Sequence, residues 1–155
     1  MQEQTLVLLK PDSLQRGLVG TITKRFEDKG LKIVGLKMMT VSDALVEEHY
    51  VHHKDKPFFS GLKAFMQSSP LVAMVLEGVE AVPTVRRMAG ITKSREADFG
   101  TIRGDFGMSM QANLIHVSED QKAASEEVKR FFTPEELFDY QRPFDANIYA
   151  DDDRG

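Results

Sequence analysis

The stretch TLVLL (Thr5–Leu9), closed at once by Lys10-Pro11-Asp12, is where the fold is decided. Its β-rich, apolar character reads as a buried strand, and Pro11 cannot continue a central ladder. Outward from it, Leu18, Val19, Ile22 and Phe26 repeat at helical spacing, with Lys and Glu between them. Gly30 stands where a helix C-cap glycine belongs. Residues 31–41 (LKIVGLKMMTV) carry the alternating, β-branched pattern of a second strand.

Ser42-Asp43 reads as an N-cap opening a helix through Ala44, Leu45, Val46 and His49. Pro57 ends it, and a short helix follows over Ser60 to Gln67. Leu71 to Leu76 (LVAMVL) is a third strand, and Val82 to Met88 a helix with Pro83 in its first turn. Residues 89–112 are rich in Gly and Ala, have no long apolar run, and read mostly as loop. Asn113 to Val117 (NLIHV) is a fourth strand, and Ala123 to Phe132 is helical. Thr133-Pro134-Glu135-Glu136 has the form of a capping box that starts a last short helix. Residues after Tyr149 read as a loose tail of a single domain spanning 1–155. This order implies an α/β (α+β) sandwich of ferredoxin-like βαββαβ type. The expected sheet is four-stranded and antiparallel, with helices on one face.

The 155 residues are 41% hydrophobic, enough for a core, and no run reaches the length of a membrane span. The N-terminus lacks a secretory pattern, and there are no cysteines. Disulfides, thiolate metal sites and cysteine nucleophiles are therefore excluded, and a cytoplasmic location is expected. The formal net charge of −4 argues against nucleic acid and anionic membranes as partners. Within it, Arg86, Arg87, Lys93, Arg95 and Arg103 crowd one stretch that could meet a compact polyanion, or could simply be a solvated surface.

No P-loop or dinucleotide-binding glycine turn is present, so a nucleotide site here must be built from side chains. His49, His52 and His53 fall on one expected helix. The His49–His53 spacing allows two ligands on one face, but without carboxylate or thiolate partners they read as exposed helix histidines. His116 differs. It lies in an apolar strand, where the ordinary reading is a hydrogen-bonded core residue. Glu127 on the following helix can orient one ring nitrogen and leave the other free to attack, and Ser118 can hold the carboxylate. Lys10, Arg86, Thr92, Arg103 and Asn113 could neutralise a transferred phosphoryl group.

The segments TLVLLKPD, QRGLVG, HYVHHKDKPFF, VRRMAG, GTIRGDF, NLIHVSED and FF-T-PEELFDY appear in order along nearly the whole chain. In this the sequence resembles the nucleoside diphosphate kinase family. The resemblance implies γ-phosphate transfer between nucleotides by a ping-pong route through phosphorylated His116, with broad base specificity. It implies that Glu127 and Ser118 orient His116, that Tyr50 packs beside it, and that Lys10 and Asn113 meet the phosphates and the ribose 3′-hydroxyl. Arg86, Thr92 and Arg103 correspond to the phosphate clamp, and Phe58 to the base-stacking aromatic with Leu62 beside it. Mg²⁺ is implied as cofactor, held mainly by substrate phosphates without a protein cage. Self-association is implied too, as a hexamer first and a tetramer or dimer otherwise. Val117, Glu119, His53 and the proline-free Lys93–Gly100 loop depart from the family pattern without removing a catalytic group. Two other readings share the frame: a binding or regulatory protein of the same fold that has lost turnover, and a different phosphohistidine enzyme such as a phosphatase.

Overall fold

The structure, a computed structural model, describes residues 2–153. In chain order it contains β1 (Gln2–Leu9), α1 (Pro11–Gln15), α2 (Val19–Lys29), β2 (Lys32–Met39), α3 (Asp43–His49), α4 (Phe59–Met66), β3 (Leu71–Val79), α5 (Ala81–Ala89), α6 (Ile102–Phe106), β4 (Ile115–Val117) and α7 (Gln121–Phe131). The strands form one antiparallel sheet in the order β2-β3-β1-β4. This is the expected ferredoxin-like arrangement.

β1 and β3 are buried at every position from Thr5 to Leu9 and from Leu71 to Leu76. Strands apolar on both sides cannot leave a face in water. Val7, Leu9, Met74 and Leu76 accordingly pack on Ile22 and Phe26 of α2 and Val85 of α5. Leu6, Leu8, Ala73 and Val75 face the other way, onto Val46 of α3, Met66 of α4 and Phe131 of α7. Helices therefore cover both faces of the sheet, not the single face expected.

Local signals explain most boundaries. Gly30 ends α2 at φ 99°, a left-handed conformation that disfavours a side chain. Ser42 caps α3 by accepting the Leu45 amide, and Asp120 caps α7 by accepting that of Ala123. The segment 89–112 is less loop-like than expected. It holds a 3₁₀ turn at Ser94–Glu96 and the five-residue α6, capped by the Thr101 hydroxyl on the Gly104 amide. An element that short with a glycine inside leaves no periodic signal. The fourth strand is only Ile115–Val117, because Leu114 turns at φ 73°. His52 and His53 sit in a 3₁₀ turn (Val51–His53) beyond α3, and the capping box at Thr133 starts one 3₁₀ turn, Pro134–Glu136. Of the tail, Asp151–Asp153 form a 3₁₀ turn, and the last two residues lie outside the described ones. Among the described residues no helix is long and apolar enough to cross a membrane.

Candidate active site

The site grows from the end of β1. Lys10 donates its amide to the Leu114 carbonyl (2.8 Å), to which Ser13 adds its hydroxyl (2.6 Å). The Leu114 amide is held by the Asp12 carboxylate at 3.0 Å. The KPD turn thus grips both backbone polar groups of the left-handed Leu114 and sets the residues beside it. Asn113, buried, accepts from the Lys10 ammonium at 2.7 Å and donates to the Thr92 carbonyl at 3.1 Å.

Arg103 of α6 is almost fully buried. Its guanidinium donates to the carbonyls of Asn113 (3.3 Å), Gly90 (2.7 Å) and Ile115 (2.6 Å). Two segments, the turn after α5 and the stretch that enters β4, are thereby tied to one cation. Burial and the nearby Arg86 push Arg103 down to about 10. Burial and Arg103 push Lys10 down to about 8, against the opposing pull of Asp12. Burial in turn raises Asp12. Two cations crowded this tightly are a binding surface for an anion, which repays their mutual repulsion.

His116 lies in β4 opposite Leu8. Its Nε2 is 2.9 Å from a Glu127 oxygen, and the Ser118 hydroxyl donates to the same oxygen at 2.8 Å. The Leu6 amide donates to Ser118 at 3.2 Å, so the chain of bonds ends in the sheet. Burial works against the charge on Glu127, but the hydrogen bonds and charges of His116, Ser118 and Arg130 outweigh it and hold the carboxyl low. An ionised carboxylate can only accept, so the His116 proton sits on Nε2 and Nδ1 keeps its lone pair. The Tyr50 hydroxyl is buried, and burial followed by Glu127 raises its ionisation.

A cavity of about 960 Å³ opens in front of these groups, and Lys10, Tyr50, Arg86, Thr92, Arg103, Asn113 and His116 all line it. The sequence-derived residues therefore converge, with Glu127 and Ser118 behind the histidine. Phe58 and Leu62 are not on its wall. Phe58 is half-exposed and reaches the cavity through His53, whose ring is 5.4 Å from its own. Leu62 packs against the core cluster beneath α3 and α4.

Sequence reasoning misplaced His49. It was expected on an exposed face with His53, yet it is half-buried with its ring against His116. Leu45 and Val46 lie four and three residues before it, so the helical period already put it on the apolar side of α3. Asp12 was missed altogether; its only signal is an acid directly after the Lys-Pro turn. His49, His116 and Glu127 offer ligand atoms within 4.8 Å of one another. Arg130 donates to His49 Nδ1 at 3.1 Å, which puts the His49 proton on Nε2. His116 and Glu127 are hydrogen-bonded to each other, whereas His49 meets His116 through its ring edge and is hydrogen-bonded to Arg130.

Fold and site together define a class, an α/β sandwich whose cavity gathers cations around a carboxylate-bound histidine. The sequence pattern of the family described as nucleoside diphosphate kinase matches residues 3–137. A nucleoside diphosphate kinase of Pyrococcus horikoshii is 51% identical over 146 residues, 92% of this chain and 93% of the relative. That of Gloeobacter violaceus is 48% identical over 147 residues, 95% and 99% of the two chains. Among solved structures, the halophilic nucleoside diphosphate kinase of Halobacterium salinarum in complex with CDP superposes with a TM-score of 0.94. It is 47% identical, covering 97% of this chain and 100% of that one. The chain belongs to the nucleoside diphosphate kinase family, a family of enzymes.

Proposed function

We propose that this chain moves the γ-phosphoryl group of a nucleoside triphosphate to a nucleoside diphosphate by a ping-pong reaction through phosphorylated His116. The observation that carries this reading is the His116–Glu127 bond of 2.9 Å at the wall of a cation-lined cavity. In the first half-reaction Nδ1 attacks the γ-phosphorus, the bond to the bridging β-phosphate oxygen breaks, and the diphosphate leaves. In the second, the terminal oxygen of another diphosphate takes the group and the lone pair returns to Nδ1. Glu127 stabilises the positive charge that the ring gains, and Ser118 fixes the carboxylate. Lys10, Arg86 and Arg103 neutralise the phosphates, with Thr92 beside them. Lys10 and Asn113 are hydrogen-bonded to each other and are placed to meet the ribose 3′-hydroxyl.

Mg²⁺ fits as a companion of the substrate. The cavity wall carries the carboxylates of Glu96, Asp98 and Glu119, oxygen donors of the kind it accepts. Bound to phosphate oxygens, the ion supplies further charge neutralisation. Broad base specificity is supported by Phe58, an exposed aromatic that can stack on any base, with Leu62 in the helix that follows it. Self-association is supported by Leu36 and Met38, exposed on the edge strand β2, and by Phe99, which is 91% exposed; a hexamer is the first expectation from the family, a tetramer or dimer the others. A cysteine-free chain fits the cytoplasm as its place of work.

The test is intact mass after brief incubation with ATP and Mg²⁺, followed by GDP. One added phosphoryl group, stable to base, labile to acid and discharged as GTP, is the expected result. A folded, nucleotide-binding protein that gains no phosphoryl group would overturn the reading, and release of free phosphate would make it a phosphatase.

A further inference from the structure

The hydrogen bond to Glu127 pins one atom of the His116 ring, and one pinned atom is a pivot. Held by its Cβ–Cγ bond and at Nε2, the ring can still rock about the line joining those two points and swing Nδ1 away from the line of attack. The second restraint in the structure is His49. Its ring meets that of His116 at 4.5 Å between centroids and 83° between planes. It is itself wedged by Phe131 (5.1 Å, 89°) and Tyr50 (4.7 Å, 71°). We propose that His49 is a positioning residue for phosphoryl transfer, a permanently neutral aromatic wall that fixes the plane of the His116 ring. This rests on the reading of His116 as nucleophile.

Neutrality is built into the surroundings. Arg130 of α7 donates to His49 Nδ1 at 3.1 Å, so that nitrogen cannot take a proton. Arg130 is anchored in turn by Glu48 of α3, 3.4 Å away. The other charged groups facing His49 are His116 on β4, Lys10 at the end of β1 and Glu127 on α7. Burial first, then His116, Arg130 and Lys10, push its ionisation down to about 2. A charged ring here would draw the Glu127 carboxylate away from His116. A neutral one leaves that carboxylate to the nucleophile while blocking rotation through contact alone.

The proposal predicts that an aromatic ring, not volume, is what position 49 needs. His49→Leu fills similar space without a ring, and His49→Phe restores one that is neutral at every pH. Rapid-quench measurement of His116 phosphorylation by ATP, with ADP affinity and thermal melting of each variant, separates the roles. His49→Leu is expected to phosphorylate about tenfold more slowly at unchanged ADP affinity, and His49→Phe to recover to within about threefold of the parent rate. Wild-type speed in His49→Leu, or a His49→Phe as slow as His49→Leu, overturns it. Arg130→Met gives an independent readout should either variant fail to fold. Losing the bond to Nδ1 lets the His49 ring tilt while burial and His116 keep it neutral, so phosphorylation should slow without a new acid limb in the region of about pH 5–7. A parent-like rate in that variant, or a new acid limb in that range, overturns the neutral-wall reading. If the parent chain itself takes up no phosphoryl group, the assignment of His116 falls instead.

Discussion

Arg103 should fail first as a scaffold and only then as a ligand. Its guanidinium has five N–H groups, and three of them are spent on the carbonyls of Asn113, Gly90 and Ile115. Arg103→Met keeps the side-chain stem and strands those acceptors. Hydrogen bonds to a charged group contribute about 1.5–3 kcal/mol each, but the buried cation also carries a desolvation cost that its removal returns. That cost is visible in the depression of its ionisation to about 10. The net loss should be about 3 kcal/mol, which for a chain of this size lowers the melting temperature by roughly 6–12 °C. Calorimetry and urea unfolding at pH 7 measure it directly. Arg103→Lys, which keeps the charge and loses the fork, should fall between the two. A melting temperature for Arg103→Met within about 2 °C of the parent, together with lost phosphorylation, would refute the scaffold argument. Arg103 would then act on substrate alone.

Other substitutions probe the remaining parts. His116→Ala should abolish phosphoenzyme formation while ADP still binds by titration calorimetry, whereas Glu127→Ala should slow the reaction by about 10²-fold without abolishing it. Lys10, lowered from 10.5 to about 8 in the folded chain, holds fewer protons there than when unfolded between those values. Wild-type stability should therefore rise as pH passes from 8 towards 10.5, and Lys10→Met should be more stable at pH 7 by about 1–3 kcal/mol while losing activity. Nucleotide affinity of the wild type should fall above about pH 8 as that charge is lost, and this dependence should vanish in Lys10→Met. Gly104→Ala drives a Cβ into the Asp98 carbonyl and should loosen the 94–104 loop, read as faster amide exchange of α6.

The parts of this molecule that were legible from sequence are those written in local chemistry. The continuous apolar runs of β1 and β3, the Gly30 cap and the Ser42 cap each follow from a few adjacent residues. What was not legible depends on contacts distant in the chain. That both faces of the sheet are covered does follow from the apolar runs of β1 and β3, and the single-face reading overlooked it. Lys10 meets Asn113 across 103 positions of sequence, and His49 meets Arg130 across 81. The family resemblance named the members of the site, and the antiparallel register of β1 with β4 sets Leu8 opposite His116, with Lys10 just beyond the paired residues. His49 shows where the exposed-histidine reading fails: its helical period argued for burial, and a titratable label argued against it.

The division of the site into a rigid back and an open front has a physical reason. Behind His116, a carboxylate, a hydroxyl and a strand amide form one connected chain, and each member restrains its neighbour. An uncertainty in ring position there is multiplied at Nδ1, so precision is worth its cost in buried polar groups. In front, Arg86 on α5, Thr92 in the loop after it and Phe58 just beyond the wall are exposed and lie on separate stretches of chain. On the proposed ping-pong route a donor and an acceptor nucleotide take turns in the same cavity, and a wall that gripped either too firmly would slow its release. Tightening the front should therefore improve nucleotide affinity while lowering turnover, and loosening the back should lower the phosphorylation rate at constant affinity.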